Sequence, residues 1–544
     1  MTRTRRGLAL VAAVGLGLGV PGQAAVADQR DAVVWTETGA VRGSVTDQAR
    51  VFQGIPYAAP PVGELRWQDP KPAAAWRGVR DGTRPGPACP QGPVEVPGGS
   101  KNEDCLYLNV TTPSEPAEGA TAPKPVVVWV HGGGFYMGAG SNYHAERMAA
   151  RGDVVVVTIN YRLGVFGFFG HPGLSGSGTF GLKDQQAAMS WVARNAASFG
   201  GDPRNITIAG QSAGGISNCA HLTSPTARGL FDKAVLQSGS CDLDWLDNFD
   251  YRGQSADAIY EPLSSLEAQG RRAATDLGCE GEHDAAVLSC LRGLPVDKLM
   301  PKLDKFIQPA YGTEVLPENP ADAIRYGRVQ RVPVLAGHTR DEMTQSTSFY
   351  DQGKPMSGAT YQAVMRETFG EHKDEVEARY PERAYDSAAL RWAAITTDRK
   401  WACNQYSTSR ALNRHVPVYQ YEFADPDAPL LSPAPPTMPM GAQHASELWS
   451  LFDLHGIAAE FTPEQRRLSD QMIDYWAGFA RSGDPGDADG PRWPRFRAGD
   501  RTPHVLALAP GAGGIRPVDL AAQDHCGFWA ELEGGENGAG TDHR

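Results

Sequence analysis

Ile206-Thr207-Ile208-Ala209-Gly210-Gln211-Ser212-Ala213-Gly214-Gly215-Ile216-Ser217-Asn218-Cys219-Ala220 is the stretch on which the fold turns. A short β-rich run enters Gly210-Gln211-Ser212-Ala213-Gly214, and a run of small residues suited to a helix leaves it. The chain holds 62 glycines, so roughly 0.4 matches to GxSxG are expected by accident, and the pattern draws its meaning from this context. A strand-to-helix turn this sharp strains the serine backbone and crowds its neighbours, which is why glycine sits two residues away on each side. The Ser212 hydroxyl is then held out above a sheet, toward the first N–H groups of the helix.

Working outward, His131-Gly132-Gly133-Gly134-Phe135 follows directly on the apolar run 126–130. A glycine-rich turn after a strand is often a plain connection. Upstream of a GxSxG elbow, however, three glycines let the backbone approach an acyl carbon and aim N–H groups at one point, as an oxyanion requires. The candidate donors are Gly133, Gly134 and Ala213. Further apolar runs at 154–160, 206–209, 234–237, 332–336 and 418–423 are mostly continuous, which suits strands buried on both faces. Helical patterns at 182–198 and 464–481 lie between or beyond them, so the class is α/β with a doubly wound, mostly parallel sheet. Residues 246–327 are more helical and less apolar, and read as an insertion over the sheet's edge. Residues 111–124 and 425–440 read as exposed loops.

A serine of this kind needs a base and a carboxylate, which this chain order puts downstream as serine, acid, histidine. The run 332–336 leads into Gly337-His338-Thr339-Arg340-Asp341-Glu342, and Gly441-Ala442-Gln443-His444-Ala445-Ser446-Glu447-Leu448 comes later. Order alone does not choose Glu342 over Asp341, nor His444 over His455 or His504. Two GxGxxG matches, from Gly17 and from Gly176, lack the preceding strand and following helix of a dinucleotide site.

Composition sets the surroundings. The 544 residues carry a formal charge of -12, which makes nucleic acid an unsuitable partner. Arg3, Arg5 and Arg6, the apolar run 7–20 and Ala25-Val26-Ala27 read as a secretory leader over residues 1–27, with the mature chain beginning at Asp28. The run is too short for a stable membrane anchor. Arg5-Arg6 leaves the twin-arginine route open beside the general one. Eight cysteines in an exported chain point to disulfides, and none has zinc-ligand spacing. A single domain is expected over residues 28–533, followed by a disordered tail at 534–544.

Together these residues resemble the type B carboxylesterase family, which includes cholinesterases, fungal lipases of the same fold and the non-catalytic neuroligins. The likeness spans nearly all of the mature chain. It is carried by Phe52-Gln53-Gly54-Ile55-Pro56-Tyr57-Ala58, Leu65-Arg66-Trp67, Asn160-Tyr161-Arg162-Leu163-Gly164 and the elbow itself. Its most specific part is Asn102-Glu103-Asp104-Cys105-Leu106-Tyr107-Leu108-Asn109-Val110. The resemblance implies an α/β-hydrolase fold with insertions over the active site. It also implies Glu342 as acid, with one residue fewer after Gly337 than the family pattern GxxxxDE, and His444 as base from HxxEL. By the same likeness Cys89 pairs with Cys105, Cys279 with Cys290 and Cys403 with Cys526. It leaves open whether Cys219 and Cys241 pair or stay as buried thiols. Buried pairs Arg66 with Glu103 and Arg162 with Asp184 are implied in structural roles.

The implied activity is hydrolysis of a small-molecule carboxylic ester by Ser212, His444 and Glu342 through an acyl-enzyme, a reaction that needs no cofactor or metal. A lipase, an amidase or a carbamate hydrolase of the same fold shares these motifs. A neuroligin-like adhesion module lacks part of the triad, whereas all three residues are present here. Cholinesterases carry an acid before the nucleophile and an aromatic residue in the first disulfide loop, which together attract a quaternary ammonium. This chain has Gln211 before the serine and no aromatic residue from Pro90 to Asp104. Gln211 and Trp245 are the positions expected to line the substrate pocket, although a lone tryptophan after a strand is more often core.

Overall fold

Consecutive residues of the central strands point to opposite faces, and both faces are buried. Val126, Val128 and Val130 pack with Trp191, Met189 and Ala220 on one side. Val127 and Trp129 pack with Met472, Ile473 and Trp476 on the other. That two-sided burial is why these strands read as unbroken apolar runs. The computed structural model describes residues 32–114, 122–431, 435–487, 490–501 and 504–537. The expected leader at 1–27 lies outside them, as does the tail beyond residue 537.

Among the described residues the main sheet has thirteen strands. They are β1 Ala32–Thr36, β2 Gly39–Val45, β3 Ala49–Pro56, β4 Val79–Asp81, β5 Tyr107–Pro113, β6 Lys124–Val130 and β7 Val155–Ile159, then β8 Gly201–Gln211, β9 Lys233–Gln237, β10 Val334–Thr339, β11 Val418–Phe423, β12 Val505–Leu508 and β13 Arg516–Val518. The spatial order is β1-β2-β3-β5-β7-β6-β8-β9-β10-β11-β12-β13, with β4 beside β2. From β7 through β12 neighbouring strands are parallel. The amino-terminal strands β1, β2, β3 and β5 join antiparallel, as β13 does at the far edge. The sheet is therefore parallel at its centre and mixed overall. The chain has the α/β-hydrolase architecture, with helices α1 Phe180–Asn195 and α2 Ala213–Thr223 on one face and α3 Pro463–Ser482 on the other.

Several local readings need correction. Residues 111–113 finish β5 and Lys124 opens β6, so the first expected loop is shorter at both ends. Asp425, expected on an exposed loop, is buried, because Gln465 of α3 donates to its carboxylate at 2.9 Å. The insertion after residue 246 packs against the α1 and α2 face instead of a sheet edge, with Leu266, Leu288, Leu291 and Phe306 in the same core as Trp191. Arg66 fixes it there. Its guanidinium pairs with Glu103 and donates to the carbonyls of Leu291, Arg292 and Leu294. Arg162 pairs with Asp184 through two 2.7 Å contacts, both side chains buried.

A third core gathers Phe249, Tyr361, Phe369, Trp392 and Trp529. The disulfide Cys403–Cys526 ties it to the last helix, α4 Cys526–Asn537, which continues past residue 533, where the disordered tail was expected to begin. Cys89–Cys105 and Cys279–Cys290 also form, and Cys219–Cys241 is a fourth bond, which settles the pairing that sequence left open. No helix of the described residues is long and apolar enough to cross a membrane.

Candidate active site

Strand β8 ends at Gln211 and helix α2 begins at Ala213, leaving Ser212 between them at φ 55° and ψ -124°. This is a strained backbone for a residue with a side chain, and such strain concentrates at functional positions. Two hydrogen bonds hold it: Ser212 N donates to Gln237 O at 2.8 Å, and Ile216 N to Ser212 O at 2.9 Å. Crowding explains the glycines, since a Cβ on Gly214 would lie 1.9 Å from Val130 O. That close approach seats the first turn of helix α2 on the end of β6.

The glycine turn after β6 lies against the elbow. Gly133 has φ 97°, and a side chain there would meet Met137 O at 2.2 Å. Tyr136 and Met137 both donate to Gly133 O, which closes the turn. His131 braces it from behind, stacked 4.4 Å from the Tyr161 ring, with burial pushing its imidazole down to about 4. The N–H groups of Gly133, Gly134 and Ala213 make no hydrogen bond among the described residues.

His444 arrives on the loop after β11 and shares a cleft of about 460 Å³ with Ser212, Gly133 and Gly134. Its Nδ1 meets Oε2 of Glu342, and Thr339 N donates to Oε1 of the same carboxylate at 2.9 Å. Burial alone drives His444 toward neutrality, but the charge and hydrogen bond of adjacent Glu342, joined by the Glu447 charge, together outweigh it and hold the imidazole above its ordinary value. Burial raises Glu342, and the His444 contact together with the Thr339 N–H brings it below its ordinary value. Asp341, the other acid left open by sequence, instead ties down the histidine loop by accepting from Ala442 N at 2.8 Å. His455 sits at the cleft rim, 3.6 Å from Glu95, and His504 is exposed.

Gln211 is buried and its Nε2 lies 3.1 Å from Nε2 of His444. An amide donor there pairs with the tautomer that carries its proton on Nδ1, toward Glu342. Trp245 does not line the cleft. It lies beside Lys400, whose Nζ is 5.1 Å from the Trp245 ring and 5.4 Å from that of Trp401. Trp401 is the tryptophan that reaches the histidine, at 4.8 Å between rings. It is presented by a π-helical turn, Thr397–Ala402, a distortion that pattern reading does not detect. Glu447 lies close behind the site: it is buried, accepts from Gln237 Nε2 at 3.1 Å, and has no partner for Oε2 among the described residues. Burial first, then the Glu342 charge, push its carboxyl up to about 7. Val94, Glu95, Tyr143, Phe349 and Trp449 complete the walls, so the Cys89–Cys105 loop supplies an aliphatic residue and an acid where an aromatic is missing.

Such a constellation, a strained serine beside a carboxylate-held imidazole and free N–H donors, is equipped for nucleophilic attack on an acyl group. Comparison with known proteins gives the family. The sequence profile of the Carboxylesterase family matches residues 30–529. The chain is 34% identical over 531 residues to cocaine esterase of Homo sapiens, covering 91% of each. It is 33% identical over 494 residues to para-nitrobenzyl esterase of Bacillus subtilis (strain 168), covering 87% of this chain and 94% of that one. Its fold superposes on a solved PNB esterase with a TM-score of 0.72 at 31% identity, covering 91% of this chain and 99% of the other.

Proposed function

Because this chain belongs to the carboxylesterase family and is a carboxylic ester hydrolase, we propose that it is an exported serine esterase working through a Ser212 acyl-enzyme. The observation that supports this reading is Ser212 and His444 in one cleft with Gly133 and Gly134, with buried Glu342 held against the far nitrogen of the imidazole and the Ala213 N–H next to the serine. His444 Nε2 takes the serine proton as the oxygen attacks the ester carbonyl, and Glu342 stabilises the imidazolium through Nδ1. The three N–H groups receive the oxyanion, a contact worth several kcal/mol only as the charge develops. His444 then protonates the departing alcohol, and water repeats the cycle on the acyl-enzyme. In the free enzyme Nε2 faces the Gln211 amide, so the serine hydroxyl takes over that position when substrate arrives.

The substrate class is a small-molecule ester. The relatives named for esterase activity support it, and so does a cleft of about 460 Å³ with mixed aromatic and polar walls. Export is supported by four disulfides, which persist in oxidising compartments, together with the leader-like first 27 residues. A panel of p-nitrophenyl esters of rising acyl length, run beside a p-nitroanilide and an emulsified triglyceride, tests the class. Turnover of the soluble esters far above the other two is expected. Preference for the anilide or the emulsion would replace the esterase reading with an amidase or a lipase.

A further inference from the structure

Behind the strand that leads to Glu342, a second cluster of ionisable groups lies apart from the Ser212 cleft. Strands β10 and β11 pair in parallel with His338 opposite Glu422, so both side chains emerge on one face of the sheet. Asp524, at the end of the short helix Leu520–Gln523, comes against the same face. One ligand-capable atom from each of the three lies within 4.8 Å of the others, and all three side chains are buried. None of them lines the cleft of Ser212.

Hydrogen bonding leaves this cluster incomplete. Neither ring nitrogen of His338, a residue only 1% exposed, has a partner among the described residues, and Asp524 Oδ2 has none either. Gln523 Nε2 reaches Glu422 Oε1 at 2.6 Å and Asp524 Oδ1 at 3.5 Å, which serves one oxygen of each. Asp398 adds a third buried carboxyl nearby, partnered at 2.7 Å by the Tyr380 hydroxyl. Arg340 and Arg516 line, with Glu422, Asp398 and Asp524, a second cavity of about 460 Å³ that is separate from the Ser212 cleft. Arg340 is 3.6 Å from Asp341 and Arg516 faces Gly513 O. Two guanidinium groups ease the burial of carboxylates but leave the imidazole without a partner. A buried imidazole and two carboxylates with open lone pairs are the donor set of a metal site.

We propose that His338, Glu422 and Asp524 bind one first-row divalent metal ion of the zinc or manganese kind, in a structural role separate from ester hydrolysis. One imidazole nitrogen and two carboxylate oxygens suit such an ion, whereas calcium and magnesium favour all-oxygen sets. The adjoining cavity supplies water for the remaining positions. Bound there, the ion fastens the carboxyl-terminal segment, already linked through Cys403–Cys526, to the strand that ends at the Glu342 loop.

The test uses the full, untagged chain, stripped with a chelator and dialysed against Zn²⁺ or Mn²⁺, followed by metal analysis. One equivalent per chain and a higher melting temperature in zinc are expected. Co²⁺ should give a visible d–d spectrum of a site with few ligands. His338→Asn and Asp524→Asn should each weaken binding by at least the roughly 10- to 100-fold that loss of even an outer partner costs. His372→Ala, beside the exposed Glu375, should leave binding unchanged. Circular dichroism verifies that each variant folds. If His338→Asn does not, the nearly isosteric Asp524→Asn decides the matter. Absence of a stoichiometric ion in the wild-type chain, or binding that survives in the folded variants, overturns the proposal. Esterase turnover by the stripped chain leaves the Ser212 reading untouched by either result.

Discussion

The amide nitrogen of Gln211 lies 3.1 Å from Nε2 of His444, so the residue before the elbow serine contacts the nitrogen that must receive the serine proton. A neutral donor at that point favours the unprotonated base. A carboxylate there would favour the imidazolium instead.

Gln211→Glu should therefore raise the acid limb of the kcat/KM profile by about one to two pH units, since the base acts only when neutral. In the wild-type chain that limb should already lie above 6.5, the ordinary histidine value, because Glu342 and the Glu447 charge together outweigh burial at His444. Initial rates with p-nitrophenyl acetate across pH 5 to 9, scaled to titrated sites, read both numbers. An acid limb that stays put in the variant would mean that this contact does not exist in solution.

Glu447 offers a separate pH test, on stability. Its folded value of about 7 is above the ordinary 4.5, so below 4.5 the group is protonated in both states and carries no penalty. As pH rises from about 4.5 to 7 the unfolded chain loses this proton first, and stability drains away. Glu447→Gln should gain on the wild type across that window by roughly 3 kcal/mol at most. Urea unfolding at pH 5 and pH 8 measures the difference of differences. A gap that is flat or shrinking with pH contradicts a buried, protonated Glu447.

Cys219–Cys241 joins helix α2, which starts at the serine, to the loop after β9. Its sequence separation of 22 gives about 3 kcal/mol of loop-closure stabilisation. Peptide mapping without reduction should recover this bond with the other three, and the Cys219→Ala, Cys241→Ala double variant should melt well below the wild type. Free thiols at both positions in the purified, unreduced protein would refute the pairing.

Charge preference follows from Lys400. Its ammonium lies near the faces of both Trp245 and Trp401 and pairs with Asp250 at 2.8 Å, so those two rings are already engaged by a cation of the chain. Trp392 is sealed in the third core and offers no alternative. A desolvated cation–aromatic contact contributes about 2 kcal/mol, which a choline ester forgoes at those two rings. Accordingly 3,3-dimethylbutyl acetate should match or exceed acetylcholine in kcat/KM at about 0.15 M salt, where long-range attraction to an acidic surface is screened. A tenfold advantage for acetylcholine would show that Glu95 or an aromatic wall residue such as Trp449 recognises the cation.

What sequence made legible was the local chemistry. The elbow, the glycine turn and the central strands carry their signals within a few consecutive residues, and Val418–Phe423 appears with the bounds expected. Strand β8 begins at Gly201, five residues before the apolar run, because Lys124 pairs with Gly201 while Asp202, Arg204 and Asn205 hide the strand behind polar side chains. Of the antiparallel strands, β1 is apolar but partly exposed, while Arg42 and Ser44 interrupt β2 and Arg50 and Gln53 interrupt β3, so neither of the latter shows the unbroken apolar run of a central strand. Gln211 against His444, Trp401 against the same ring and His338 opposite Glu422 depend on register between segments far apart in the chain. No linear pattern encodes those distances.

The central claim is that Ser212 is the nucleophile, and covalent labelling tests it most directly. A p-nitrophenyl phosphonate should inactivate the chain with one label per molecule, carried by the peptide containing Ser212. Ser212→Ala should fold normally, take up no label and lose roughly 10⁴- to 10⁶-fold in kcat, because nucleophile and base act as a unit. Label on a different serine, or an alanine variant that turns over p-nitrophenyl esters at near wild-type rates, would contradict the account.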